Sequence, residues 1–114
     1  MSQRLVFFLL SLLGAPIASA DTINLANGDR VSGVLVSVDG TRVVIDSEWG
    51  GRLLIEREAV QAIETDEEMG VEVTGSADIE GRLVATASGE QGLLTAAGDT
   101  REIGIGALGV AYPR

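Results

Sequence analysis

The chain has 114 residues, with eight basic side chains (all Arg) against 17 acidic ones, a formal charge of −9, and no Cys, His or Lys. Without cysteine there is no disulfide staple, thiolate nucleophile or zinc–sulfur site. Without histidine the usual neutral-pH base and commonest metal ligand are missing, and without lysine there is no Schiff-base chemistry. The acidic excess opposes nucleic acid, whose non-specific affinity rests on Lys and Arg at phosphates, and anionic membrane surfaces.

Residues 1–20 read as a signal peptide. Arg4 and the amino terminus make a short positive region, residues 5–13 are apolar apart from Ser11, and Gly14 and Pro16 end the helix. Ala18-Ser19-Ala20 is a small-x-small cleavage site. The apolar run falls well short of the about 20 residues that a membrane span needs. Cleavage after Ala20 makes Asp21 the new amino terminus and leaves 94 residues with a formal charge of −10. The expected location is the bacterial periplasm, free or associated with the outer membrane, where disulfides are allowed but not required. No membrane span is expected after cleavage.

The remainder is short and turn-rich. Residues 22–26 form a first strand, closed by the tight-turn signal Asn27-Gly28-Asp29. Residues 30–38 are the next strand, and Asp39-Gly40 a hairpin turn. Residues 42–47 carry Val43, Val44 and Ile45; after the tip Trp49-Gly50-Gly51, residues 52–57 carry Leu53, Leu54 and Ile55. Residues 58–60 make one helical turn and residues 61–65 a closing strand. Apolar residues never recur at helical spacing for more than two turns, so the chain is all-β.

A shift of 48 residues aligns the chain on itself without a gap. Ile23 falls on Val71, Leu25 on Val73, Gly33 on Gly81, Leu35 on Leu83, Ile45 on Leu93, Ile55 on Ile103 and Val60 on Leu108. Turn glycines and apolar strand positions are kept together, the mark of a duplication. The division is a signal peptide at 1–20, a first β repeat at 21–66 and a second at 67–114. Each repeat is below the size at which a lone disulfide-free domain usually stands, so the two are expected to pack on each other or on a second chain. The second has Gly104, Gly106 and Gly109 where the first has Glu56, Glu58 and Gln61.

The pattern in residues 25–65 resembles the Sm-like fold, bacterial Hfq RNA chaperones included. It comprises Leu25, Asn27-Gly28, Val31, Gly33, Asp39, the apolar strand around Val43–Ile45, and Ala59-Val60 followed by Ile63. The resemblance implies two tandem Sm/SH3-like, strongly bent small β-barrel units packed together after the signal helix. It does not carry RNA binding across. The positions of the stacking aromatic and the Lys-His pair hold Thr41, Arg57 and Glu58. Ile23-x-Leu25-x-Asn27-Gly28-Asp29-Arg30-Val31-x-Gly33, with Glu64-Thr65-Asp66 and a similar second half, is also similar to an exported bacterial family of salt-stress-linked outer-membrane proteins. In that family a larger membrane β-barrel usually follows. A membrane barrel needs strands of about 9–11 residues and aromatic girdles, and the exported part holds only Trp49 and Tyr112.

Three constellations bear on function. Glu56 and Glu58, if extended, would share a face at about 6.5–7 Å, overlapping an inverting glycosidase pair; a solvated edge-strand face is the better account. Asp66-Glu67-Glu68, at the seam between repeats, is either a solvated linker or a weak divalent-cation site. Trp49 is either a lid over its own barrel or an exposed anchor for a partner. Gly104-x-Gly106 opens no helix, which leaves strand bulges rather than a phosphate cradle. The expectation is a non-enzymatic periplasmic binding or adaptor module with no cofactor, contacting an envelope protein or itself. The alternative is the structural N-terminal domain of a truncated outer-membrane β-barrel protein.

Overall fold

A computed structural model describes residues 20–75 and 78–113. The expected signal helix, with Ala18, lies outside them. The strands are β1 (Asp21–Leu25), β2 (Arg30–Val38), β3 (Arg42–Ser47), β4 (Gly51–Glu56) and β5 (Val60–Glu64), then β6 (Met69–Val73), β7 (Ile79–Ala85), β8 (Gln91–Thr95), β9 (Thr100–Glu102) and β10 (Leu108–Pro113). Single 3-10 turns, Arg57–Ala59 and Ile105–Ala107, precede β5 and β10. The described residues contain no α-helix, and none of their helices is long and apolar enough to cross a membrane.

The turn chemistry explains the first hairpin. The Asn27 carboxamide oxygen accepts the Asp29 N–H at 2.9 Å, and Gly28 supplies the positive φ of 95° that closes the reversal. Beyond it, strand β2 does not alternate simply. Gly33 and Leu35 face the core, and so does Val38, three residues on. A register shift in the β2–β3 ladder between Leu35 and Ser37 absorbs the extra residue, and a bulge of this kind bends the strand. Val34, half of the doubly apolar run, is left facing solvent.

Pairing repeats with the period of the sequence. The first half has the order β5-β1-β2-β3-β4 and the second β10-β6-β7-β8-β9. Ile23 pairs with Val31 as Val71 pairs with Ile79, and Gly33 with Ser47 as Gly81 with Thr95. The register also slips at equivalent places in β1–β5 and β6–β10. The halves join where Val38 of β2 meets Ala111 of β10, giving one antiparallel sheet of ten strands that does not close. A single buried cluster draws Ile23, Leu35, Val43, Ile45 and Ile63 from one half and Val71, Leu83, Leu93, Leu108 and Ala111 from the other. Neither half therefore leaves its core-facing side wet, and burial of each such Val, Leu or Ile side chain stabilises by about 1.5–3 kcal/mol.

Two glycines at equivalent positions let adjacent strands approach. A Cβ on Gly33 would collide with the Asp46 carbonyl oxygen, and one on Gly81 would lie 2.6 Å from the Leu94 carbonyl oxygen. Both obstacles are backbone, so the ladder itself must move. Gly33→Ala is expected to cost about 2–3 kcal/mol in urea unfolding followed by circular dichroism. Gly40→Ala, with open space around its Cβ, should stay within about 0.5 kcal/mol. Equal stabilities of the two variants would refute the close-approach argument.

Candidate interaction surface

The β3–β4 hairpin ends in Glu48-Trp49-Gly50. The Ser47 hydroxyl accepts the Gly50 N–H at 2.8 Å and donates to the Gly51 carbonyl at 2.9 Å, while Gly51 takes the positive φ of 72°. The tip is thus locked by its own hydrogen bonds. Trp49 stands outside it, 95% exposed. The lid reading is corrected: an indole so exposed covers no core.

Behind the tip, the outer face of β2–β3–β4 mixes charge with apolar surface. Val34, Asp46 and Arg52 fall in one cross-strand row, and Val44 and Leu54 in the next. Opposed residues share a face. Val34 is 54% and Leu54 58% exposed. Arg52 forks onto both Asp46 oxygens, Nε at 2.8 Å and an amino group at 3.2 Å. That hydrogen bond holds the Asp46 carboxyl below its ordinary range and raises Arg52. The pair is exposed, so it orders the row rather than stabilising the fold.

The acidic seam is organised differently from a cation site. Among the described residues no three acidic groups, Asp66, Glu67 and Glu68 included, converge where a metal could be held. Asp66 instead donates its N–H to the Asp21 carboxylate at 3.1 Å and accepts the Ala20 N–H at 3.2 Å. The Glu67 carbonyl accepts the Thr65 hydroxyl at 3.0 Å. Asp21 is buried, and its other oxygen accepts the Leu35 N–H at 2.8 Å, next to the β2 bulge. The Asp21 carboxylate thus satisfies amides that the sheet ladder leaves over, a role that strand patterning does not signal.

Glu56 and Glu58 do not share a strand. Glu56 ends β4, and Glu58 lies in the 3-10 turn. Nor do Gly104 and Gly106 form strand bulges. Gly104, with φ of 70°, opens the second 3-10 turn, and Gly106 lies within it. The register slip falls at Gly109, between Leu108 and Val110. Tyr112, 44% exposed, lays its ring over Gly70 across the β10–β6 pair. With Asp78, Ile79 and Glu80 these two line an open recess of about 450 Å³.

Arg57 takes a position where the Sm-like pattern has a basic RNA contact. Here it turns onto carbonyls. Its guanidinium donates to Asp39 O at 2.6 Å, Ile105 O at 2.7 Å, Leu108 O at 2.6 Å and Gly109 O at 3.3 Å. Partial burial lowers its pKa, and the nearby Asp39 carboxylate opposes that shift. The Asp39 carboxyl is itself held below its usual range, first by the Thr41 N–H and then by the Arg42 N–H. Among the described residues, then, the exposed surface includes one indole, the half-exposed Tyr112 ring and a mixed apolar and charged strand face. No protein-family model matches the chain, and no curated protein or solved structure is significantly similar to it.

Proposed function

We propose that the chain is a non-enzymatic adaptor module of the bacterial periplasm whose β3–β4 hairpin tip grips another envelope protein. Trp49 carries the reading. An indole 95% exposed on a hydrogen-bonded tip adds nothing to the core, while Trp is the residue type most enriched at binding hot spots. The repeated strand order and register support two related, strongly bent Sm-like units, residues 21–66 and 67–114, as the scaffold. The leader-like composition of residues 1–20 supports the location.

The test compares the exported chain with Trp49→Ala, each immobilised and exposed to a periplasmic extract. A partner held by the parent and weakened about 30-fold by the variant is expected, the factor that corresponds to a hot spot of about 2 kcal/mol. Unfolding curves should coincide, because the side chain touches no core. Equal retention by both chains, or retention of nothing by either, would sink the reading.

A further inference from the structure

The two five-strand orders end at β4, β5, β9 and β10, and among the described residues only one of these edges is both long and open. β10 is bonded to β2 at Ala111 and Val38. Along β5, the Gln91 side chain takes the Ile63 N–H and C=O, and the Thr65 N–H donates to the Leu83 carbonyl at 2.9 Å. β9 has three residues. β4 has six, Gly51–Glu56, and among the described residues it pairs with β3 alone.

We infer that β4 is a self-recognition edge. It pairs antiparallel with β4 of a second copy of this chain, Leu54 meeting Leu54 on the twofold axis and Arg52 standing opposite Glu56 of the second copy. The inference deepens the adaptor reading by naming one partner as the chain itself.

Backbone direction comes first. The Arg57 N–H donates to the Thr41 carbonyl at 3.1 Å, and β3–β4 continues in that register. Backbone groups of alternate residues point to opposite sides of an antiparallel strand. Leu53 and Ile55 therefore bond to β3, while Arg52, Leu54 and Glu56 turn their N–H groups to the open edge. With Leu54 opposite Leu54, outward groups meet outward groups. The two leucines exchange both bonds, and each Glu56 N–H reaches the Arg52 carbonyl of the other copy.

Side chains select the same register. Arg52, Leu54 and Glu56 lie on the outer face, positive, apolar and negative, symmetric in place about Leu54 and opposite in charge. The row then runs Asp46, Arg52, Glu56 of the second copy, Arg42 of the second copy, alternating in sign across four strands. The adjacent row is Val44, Leu54, Leu54, Val44. A slip by two residues sets Leu54 against a charge and leaves Arg52 and Glu56 without each other. Edge strands usually avoid self-pairing by carrying like charges; this one carries complementary ones.

The experiment is sedimentation of the exported chain over about 1 µM to 1 mM, the range of a small interface. Arg52→Glu and Glu56→Arg are each expected to weaken self-association about 10- to 100-fold, since each sets like charges opposite one another at both ends. An equimolar mixture should recover it, because a heterodimer of the two variants has opposite charges at both ends. Leu54→Pro removes an N–H that serves no bond within the chain, so it should be monomeric with an unchanged circular dichroism spectrum. A parent chain that is monomeric throughout, single variants that associate like the parent, or a mixture no better than its components would each overturn the proposal. Trp49-dependent capture by a monomeric parent would leave the adaptor reading standing without the dimer. Rescue by mixing, with no captured partner, would do the reverse.

Discussion

Gln91→Leu is expected to destabilise the fold by about 2–5 kcal/mol with little change in core volume. Gln91 is 0% exposed, and its carboxamide is fully engaged. Its oxygen accepts the Ile63 N–H at 2.6 Å. Its amino group donates to the Ile63, Val84 and Gly92 carbonyls at 3.0, 3.2 and 2.9 Å. The side chain thus acts as a missing strand residue against the edge of β5. Leucine fills the space but leaves the Ile63 N–H and C=O buried without partners or water, at about 1–3 kcal/mol each. Against a total stability of about 5–15 kcal/mol for a small domain, that is a large share. Urea unfolding by far-ultraviolet circular dichroism is the measurement, since the exposed Trp49 is a poor fluorescence reporter of the core. A change below about 0.5 kcal/mol would show that the amide is not what joins β5 to β8.

Gln91 also shows why the join between halves could not be read from strand patterning. Its counterpart 48 residues earlier is Val43, also fully buried. On that side β10 bonds directly to β2 through backbone groups, at Ala111 and Val38. On the other side β5 meets β7 and β8 through a side chain and Thr65. The alignment that places Leu35 on Leu83 and Ile45 on Leu93 reports which positions are inward, because burial follows apolar type. It says nothing about a glutamine whose burial depends on four backbone groups from three strands.

Other elements were legible because their signals are local. Strands β2 and β3 have the limits expected from turn residues, and β1, β4 and β5 differ by one residue at their ends. The 3-10 turn is one residue early, at Arg57–Ala59. The β2 bulge was illegible, since Val34, Leu35 and Val36 are equally apolar and only cross-strand register decides which one points out. Trp49 stands out in the sequence beside two glycines, but its exposure depends on whether any folded core reaches the hairpin tip. The open edge of β4 was beyond strand patterning for the same reason: an edge is defined by which strands fail to cover it.

Arg57 gives the second large effect, at the opposite junction. Replacement by methionine keeps an apolar stem but strips the donors from Asp39 O in the first half and from Ile105, Leu108 and Gly109 O in the second. Hydrogen bonds from a charged donor contribute about 1.5–3 kcal/mol each when dry. These carbonyls are only partly covered and water can return to some of them, so Arg57→Met should cost about 2 kcal/mol in total. Lysine should recover less than half, because a single ammonium cannot reach the carbonyls that the planar fork spans. Amide exchange distinguishes this from general destabilisation. Without the guanidinium, protection should fall first in β10 and the turn at Ile105–Ala107, while the β3–β4 hairpin, stitched by its own ladder, keeps most of its protection. Loss spread evenly over both halves, or a lysine variant as stable as the parent, would mean that the guanidinium is not what fastens β10 to the first half.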